Sequence, residues 1–332
     1  MPDNGPRAYG VLRRGRARRR GRYRLAGLVS DEGVSGARRR GALSLFQKLK
    51  SQAQRRLDDT ADGLLGAHAR AQLQGIAYTH EPGGTDPFGF DPEVARYGVI
   101  VAQWLYRHWF RAEAKGVENV PDGPILLIAN HSGQLPFDGM CIASALLLDR
   151  SPPRFVRSMV EKFTATLPFV SALFPRLGQI VGVPENCERL LALGEAILVF
   201  PEGSKGISKP FSARYRLTEF GLGFMRLALK TGTPIVPVAV VGAEEQYVNL
   251  ADLGGLAKAL GMPVFPVVPQ WLLPGGVMPL PVKYHIAFGA PLRFTGDPDD
   301  EDAVIDEKVE VVKKTIQSMV NRGLKERRGI FR

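Results

Sequence analysis

Strand-like runs of five to eight residues alternate with helical stretches from residue 93 to the C-terminus. The strand candidates are 124–129, 154–160 (RFVRSMV), 179–183, 196–200 (AILVF), 234–241 (PIVPVAVV) and 282–288 (VKYHIAF). Helical patterns lie between several of them, at 139–149, 186–194 and 213–231, and 301–328 reads as a closing charged amphipathic helix. Near-continuous apolar strands alternating with helices predict an α/β fold, with a mostly parallel central sheet flanked by helices.

Residues 93–113, EVARYGVIVAQWLYRHWFRAE, predict one helix with a wide apolar face. Val94, Tyr97, Ile100, Val101, Trp104, Leu105 and Trp109 recur at near-helical spacing, with Arg107 and Arg111 toward its end. Such a helix either covers the sheet or lies at a lipid interface, rings at headgroup depth and cations on phosphates. The run 250–281, rich in Leu, Pro and Gly, reads as packed irregular loop, with an acyl or lipid groove as the other reading.

Upstream the pattern dissolves. Residues 11–24, VLRRGRARRRGRYR, have no apolar periodicity, and such a segment buries too little surface to offset chain entropy. A disordered basic tail is therefore expected over 1–50. A partly helical linker region follows over 51–91, with a patchy helical pattern at 42–76 and the Pro/Gly stretch HEPGGTDPFGFDP at 80–92. The folded domain is expected over 92–332.

Charge follows the same division. Residues 1–50 hold 14 Lys or Arg against 3 Asp or Glu, which accounts for the whole net charge of +11. The tail is a solvated arm, a tether to an anionic surface, or sequence translated upstream of the true start. With no folded motif beside it, it does not suggest a specific nucleic-acid module. The two cysteines, Cys141 and Cys187, lack a CxxC spacing and read as reduced thiols. No apolar run reaches the length of a conventional membrane span, and the N-terminus lacks the apolar core of a secretory signal, so membrane contact is expected to be peripheral.

Candidate chemistry sits at two strand ends. Ile125–Ala129 runs into Asn130-His131-Ser132-Gly133, and Ala196–Phe200 runs into Pro201-Glu202-Gly203-Ser204-Lys205. Open α/β sheets build their sites beyond the carboxyl ends of strands. A neutral imidazole there can take the proton of an acceptor hydroxyl as its oxygen attacks an activated acyl group. A carboxylate behind the ring would fix its tautomer and stabilise the imidazolium.

Four ordered blocks then carry a resemblance. NHSGQLPFD (130–138), LGQIVGVPEN (177–186), VFPEGSKG (199–206) and TPIVPVAVVG (233–242) resemble the conserved blocks of the lysophospholipid/glycerolipid acyltransferase superfamily (PlsC-like), across roughly residues 93–295. The resemblance implies a glycerol-3-phosphate (1)-acyltransferase-like fold and transfer of a fatty acyl group from a thioester, acyl-CoA or acyl carrier protein, to the hydroxyl of a lysophospholipid or glycerolipid. It implies His131 as base and Asp138 as its partner, with Glu202, Gly203, Ser204 and Lys205 at the acceptor site. It also implies a peripheral enzyme on the cytoplasmic side of the membrane, with no cofactor or metal beyond the acyl-donor co-substrate.

Three departures bear on the acceptor. Six residues separate His131 from Asp138, two more than the family's usual spacing. Pro184 stands where the second block usually carries a phosphate-gripping Arg, and Lys205 stands where the third often carries another. A lysine is a point charge and cannot make the bidentate fork of an arginine. The blocks also resemble the monoacylglycerol/diacylglycerol acyltransferase-like branch, whose acceptors are less anionic. Arg154, Arg157, Lys162 and Arg176 are further candidate phosphate ligands.

Other classes find less support. No GxSxG elbow lies in the folded region, no Walker loop or dinucleotide fingerprint occurs, and the five histidines lie far apart in the chain. A non-catalytic lipid- or anion-binding protein at the membrane surface is the alternative.

Overall fold

The computed structural model describes residues 32–74, 87–132 and 134–332. The Arg-rich stretch 11–24, most of the 80–92 linker and Gly133 lie outside the described residues. The chain divides into two compact units, residues 1–56 and Leu57–Arg332. Helix α1 (Glu32–Gln74) reaches into the stretch expected as a tail, because residues 42–72 are rich in Ala, Leu, Gln, Lys and Arg, the strongest helix formers. It breaks its helical geometry at Gly66, whose φ of 70° is left-handed.

The second unit is built on a seven-stranded sheet. Its strands are β1 (Glu113–Lys115), β2 (Ile125–Ala129), β3 (Val156–Val160), β4 (Ile180–Val181), β5 (Ala196–Val199), β6 (Ile235–Val241) and β7 (His285–Phe288). They lie in the order β1-β7-β6-β2-β5-β3-β4. Neighbours are parallel except β6 and β7, which run antiparallel. The expected α/β architecture is the observed one.

Alternation along β2 shows why the strand is apolar throughout. Ile125, Leu127 and Ala129 pack into one core, with Tyr106, Phe110, Ile142 and Leu146. Leu126 and Ile128 pack into the other, with Leu190, Met225 and the stripe Ile305, Val309, Val312, Ile316 and Val320. Helices α2 (Pro92–Trp104) and α3 (Phe137–Leu148) belong to the first layer. The second is formed by α5 (Pro184–Ala192), α7 (Gly223–Thr231) and α9 (Asp302–Glu326), while the short helices α4 (Val170–Leu173), α6 (Gly203–Ser208) and α8 (Gly254–Ala259) lie in the connections between the larger elements. A strand buried on both faces needs side chains that suit both cores, hence the continuous hydrophobic run.

The helix expected over 93–113 ends earlier. After α2 the backbone widens into a π-helical turn, Leu105–Trp109, and Arg111 adopts a positive φ of 44°. Glu113–Lys115 then joins the sheet edge through Glu113↔His285 pairing. Among the described residues no helix is long and apolar enough to cross a membrane.

Candidate active site

Sheet register alone brings the two predicted loops together. Ile128 pairs with Val199 in the parallel β2–β5 ladder. His131 and Glu202 each lie three residues beyond that pair, so both leave the sheet at the same edge and the same level. Asn130 extends the alignment one step further. Its side chain donates to the Val240 carbonyl at 3.0 Å and accepts from the Val240 amide at 2.8 Å, replacing a strand residue in the ladder with β6.

His131 Nδ1 lies 2.8 Å from Asp138 Oδ2. Asp138 occupies the first turn of α3, just after Pro136 at the cap, where the helix N-terminus favours a negative charge. Its carboxylate is fully enclosed and also accepts the Ser132 amide at 3.0 Å and the Gly139 amide at 2.8 Å. The two extra residues between His131 and Asp138 are therefore absorbed in the loop and the pair is kept. The imidazole stacks on Phe200 with centroids 4.1 Å apart and planes at 22°, and its side chain retains 15% exposure. An Nδ1–H donating to the Asp138 carboxylate would leave the lone pair on Nε2, on a ring held between that carboxylate and the Phe200 face.

A second carboxylate fixes the loop from below. Glu202 Oε1 accepts the His131 amide at 3.0 Å, while Oε2 accepts the Thr218 amide at 2.8 Å and its hydroxyl at 3.0 Å. Lys209 Nζ stands 3.2 Å from Glu202 Oε2 and 3.1 Å from Glu244 Oε1, with all three side chains almost wholly buried. Glu244 in turn accepts the Tyr215 amide at 2.8 Å. Burial pushes the Glu244 carboxyl above its ordinary value, and the Lys209 charge pulls it back down.

The acyltransferase family matches residues 111–241, which contain the whole of this constellation except Glu244. An uncharacterized protein of Mycobacterium tuberculosis is 40% identical over 254 residues, covering 74% of this chain and 71% of that protein. The chain belongs to the acyltransferase family. A probable 1-acyl-sn-glycerol-3-phosphate acyltransferase of Mycoplasma genitalium is 29% identical over 167 residues, 47% of this chain and 59% of that one. The Gallus gallus DGAT1/2-independent enzyme synthesizing storage lipids is 25% identical over 220 residues, 65% and 61% of the respective chains.

Within this acyltransferase the predicted acceptor residues fall into two groups. Gly203 takes a φ of 53° where the chain turns into α6, and Ser204 follows it on the catalytic edge, partly exposed. Lys205 is solvent-exposed and paired with the equally exposed Glu219 at 3.0 Å, an ion pair that high dielectric makes weak and easily exchanged for a ligand anion. Glu202, expected at the acceptor site, has an enclosed carboxylate whose oxygens bond inward, to the His131 amide and to the Thr218 amide and hydroxyl.

The auxiliary arginines also serve the fold. Arg154 precedes β3, at the sheet end opposite the catalytic edge, and donates to the carbonyls of Pro121, Gly123 and Gly194. Arg157 is buried with its guanidinium 4.7 Å from the Phe90 ring centroid. Lys162 and Arg176 are exposed, and Lys162 follows β3 on the catalytic edge. Sequence reasoning missed Lys209, Thr218 and Glu244. The Glu244-Glu245 pair directly after an apolar strand was the one available signal.

Proposed function

We propose that this acyltransferase works at a membrane surface, moving a fatty acyl group from acyl-CoA or acyl carrier protein to a hydroxyl of a lysophospholipid or glycerolipid. His131 acts as general base. The observation that carries the reading is the 2.8 Å contact from His131 Nδ1 to the enclosed Asp138 carboxylate, on a ring stacked against Phe200. In the reaction, Nε2 takes the proton of the acceptor hydroxyl as its oxygen attacks the thioester carbonyl carbon. The carbon–sulfur bond breaks when the tetrahedral intermediate collapses, and the imidazolium returns the proton to the leaving thiolate. Because the donor is already activated as a thioester, no acyl-enzyme is required.

Lys205, with Ser204 beside it, is the cation that would meet an acceptor phosphate or glycerol hydroxyls. An exchangeable lysine without a bidentate arginine supports an acceptor of modest anionic demand, and the relatives include both a glycerophosphate and a storage-lipid enzyme. Incubating the purified protein with labelled acyl-CoA or acyl carrier protein and a panel of lysophospholipids and mono- and diacylglycerols tests the reading. Label in one glyceride or phospholipid product is expected. No labelled product with any donor and acceptor would overturn it.

A further inference from the structure

The loop after β6 is not a plain packed connection. Residues 250–280 form an arm with its own backbone bonding: Leu250 and Leu253 amides reach the Val267 and Phe265 carbonyls at 2.9 Å each, and α8 lies within it. On that built scaffold Leu250, Leu253, Leu256, Leu260, Leu272 and Leu273 are all exposed, the last two by 88% and 65%. Charge is nearly absent, since Asp252 and Lys258 are the charged residues in the stretch. Side chains this apolar, raised on a folded arm, mark a surface that something covers.

The arm springs from the catalytic edge and is tied to both catalytic loops. Gln246 Nε2 donates to the Leu135 carbonyl, inside the His131–Asp138 loop, at 3.2 Å. Asn249 Nδ2 donates to the Ser208 and Lys209 carbonyls at 2.9 and 3.1 Å, at the end of the Glu202 turn. At its far side the arm meets an indole pair: Trp104 stacks on Trp109 at 5.8 Å, and Trp109 Nε1 donates to the Pro279 carbonyl at 3.1 Å. The chain end joins there too, with Lys283 donating its amide to Ile330 at 2.8 Å. Exposed Phe331 is flanked by the exposed Arg328 and Arg332.

We propose that the 250–280 arm seats the catalytic edge on a phospholipid bilayer, its leucines entering the acyl-chain boundary. Paired tryptophans beside an apolar ridge suit the headgroup depth, and arginines flanking Phe331 suit anionic phosphates. A protein partner would more often be met by a mixed polar rim than by a stretch with two charges. The choice of a bilayer rests on the lipid-acceptor reading above, for it brings the acceptor's own solvent to the mouth of the site.

The test is flotation with vesicles of phosphatidylcholine containing a minor share of phosphatidylglycerol, using the wild type, Leu272→Asp/Leu273→Asp and His131→Ala. Both leucines are solvent-exposed, so the double variant should fold, which circular dichroism checks. Its vesicle affinity should fall at least about tenfold, because both leucines would no longer enter the acyl-chain boundary. Its turnover of a water-soluble short-chain thioester and soluble acceptor should be unchanged, and His131→Ala should float like the wild type. Equal flotation of the double variant would overturn the proposal. So would a wild-type dimer in light scattering that the double variant dissolves, which would make the arm an interface between copies. Flotation that depends on the leucines, in a protein that acylates no lipid, would support the docking arm and sink the lipid-acceptor reading instead.

Discussion

The Glu202 carboxylate accepts the backbone amide of His131 at 3.0 Å, so the turn after one strand holds the imidazole-bearing loop of its neighbour. The same carboxylate faces Lys209, which also faces Glu244. Removing one member of a buried ion pair leaves uncompensated charge, a loss of about 3–5 kcal/mol. Lys209→Met leaves two enclosed carboxylates facing each other and should lose at least about 3 kcal/mol in urea denaturation. A midpoint equal to the wild type would show that the trio carries no such load.

Gly206 packs on the catalytic loop so closely that an added Cβ would lie 2.9 Å from Glu202 Cβ and 3.0 Å from His131 Cβ. Alanine in α6 gains about 1 kcal/mol of helix propensity, and the overpacking costs about 1–3 kcal/mol, so the net stability change is small. The ring displacement is not small for chemistry, where an error on the order of 1 Å costs about 10²-fold. Gly206→Ala should therefore lower kcat about tenfold or more while the melting temperature barely moves. An unaltered kcat would show that the loop yields elsewhere.

Asp138→Asn presents an amide where the imidazole needs an acceptor, and selects the wrong tautomer. In a comparable histidine–carboxylate pair that change costs about 10⁴-fold. Steady-state kinetics with acyl-CoA should show a loss of about 10³- to 10⁴-fold in kcat with the fold retained. A loss below about tenfold would mean that another acid serves His131.

The strands that position this site were legible because they are buried on both faces: Ile125–Ala129, Ala196–Val199 and Ile235–Val241 admit little but aliphatic side chains. Edge strand β1 was not, since Glu-Ala-Lys carries no strand pattern and owes its form to pairing with His285–Ala287. The helix expected over 213–231 begins only at Gly223. Residues 216–221 form neither helix nor strand, while Tyr215 takes a φ of 65° and Thr218 bonds Glu202. Here a contact from a distant turn overrides local propensity. His131 and Asp138 could be read from their neighbours in sequence. Lys209 could not, because its two carboxylate partners come from elements that only the fold brings together.

Acid sensitivity should arise first at the β1–β7 edge. His285 is half-buried there, 3.6 Å from Glu113 and near Lys283, Lys115 and Arg327. Burial lowers its pKa despite the pull of Glu113. The unfolded chain then binds the proton more readily, so stability is lost as pH falls below the ordinary histidine value of about 6.5. Glu113, held below its usual range by the Lys283 hydrogen bond, contributes stability that fades only at lower pH, below about 4.5. His285→Gln should flatten the dependence of stability on pH just below about 6.5, above the Glu113 window. A variant with the wild-type slope there would assign the acid response to other groups.

The most direct measurement is thiol release from acyl-CoA, coupled to acyl-lipid formation, by wild type and His131→Ala at matched folded fraction. Loss of the base should remove at least about 10²-fold of the rate, the low end of general-base catalysis, while the circular dichroism spectrum stays that of the wild type. Turnover by His131→Ala at the wild-type rate would contradict the assignment of the base.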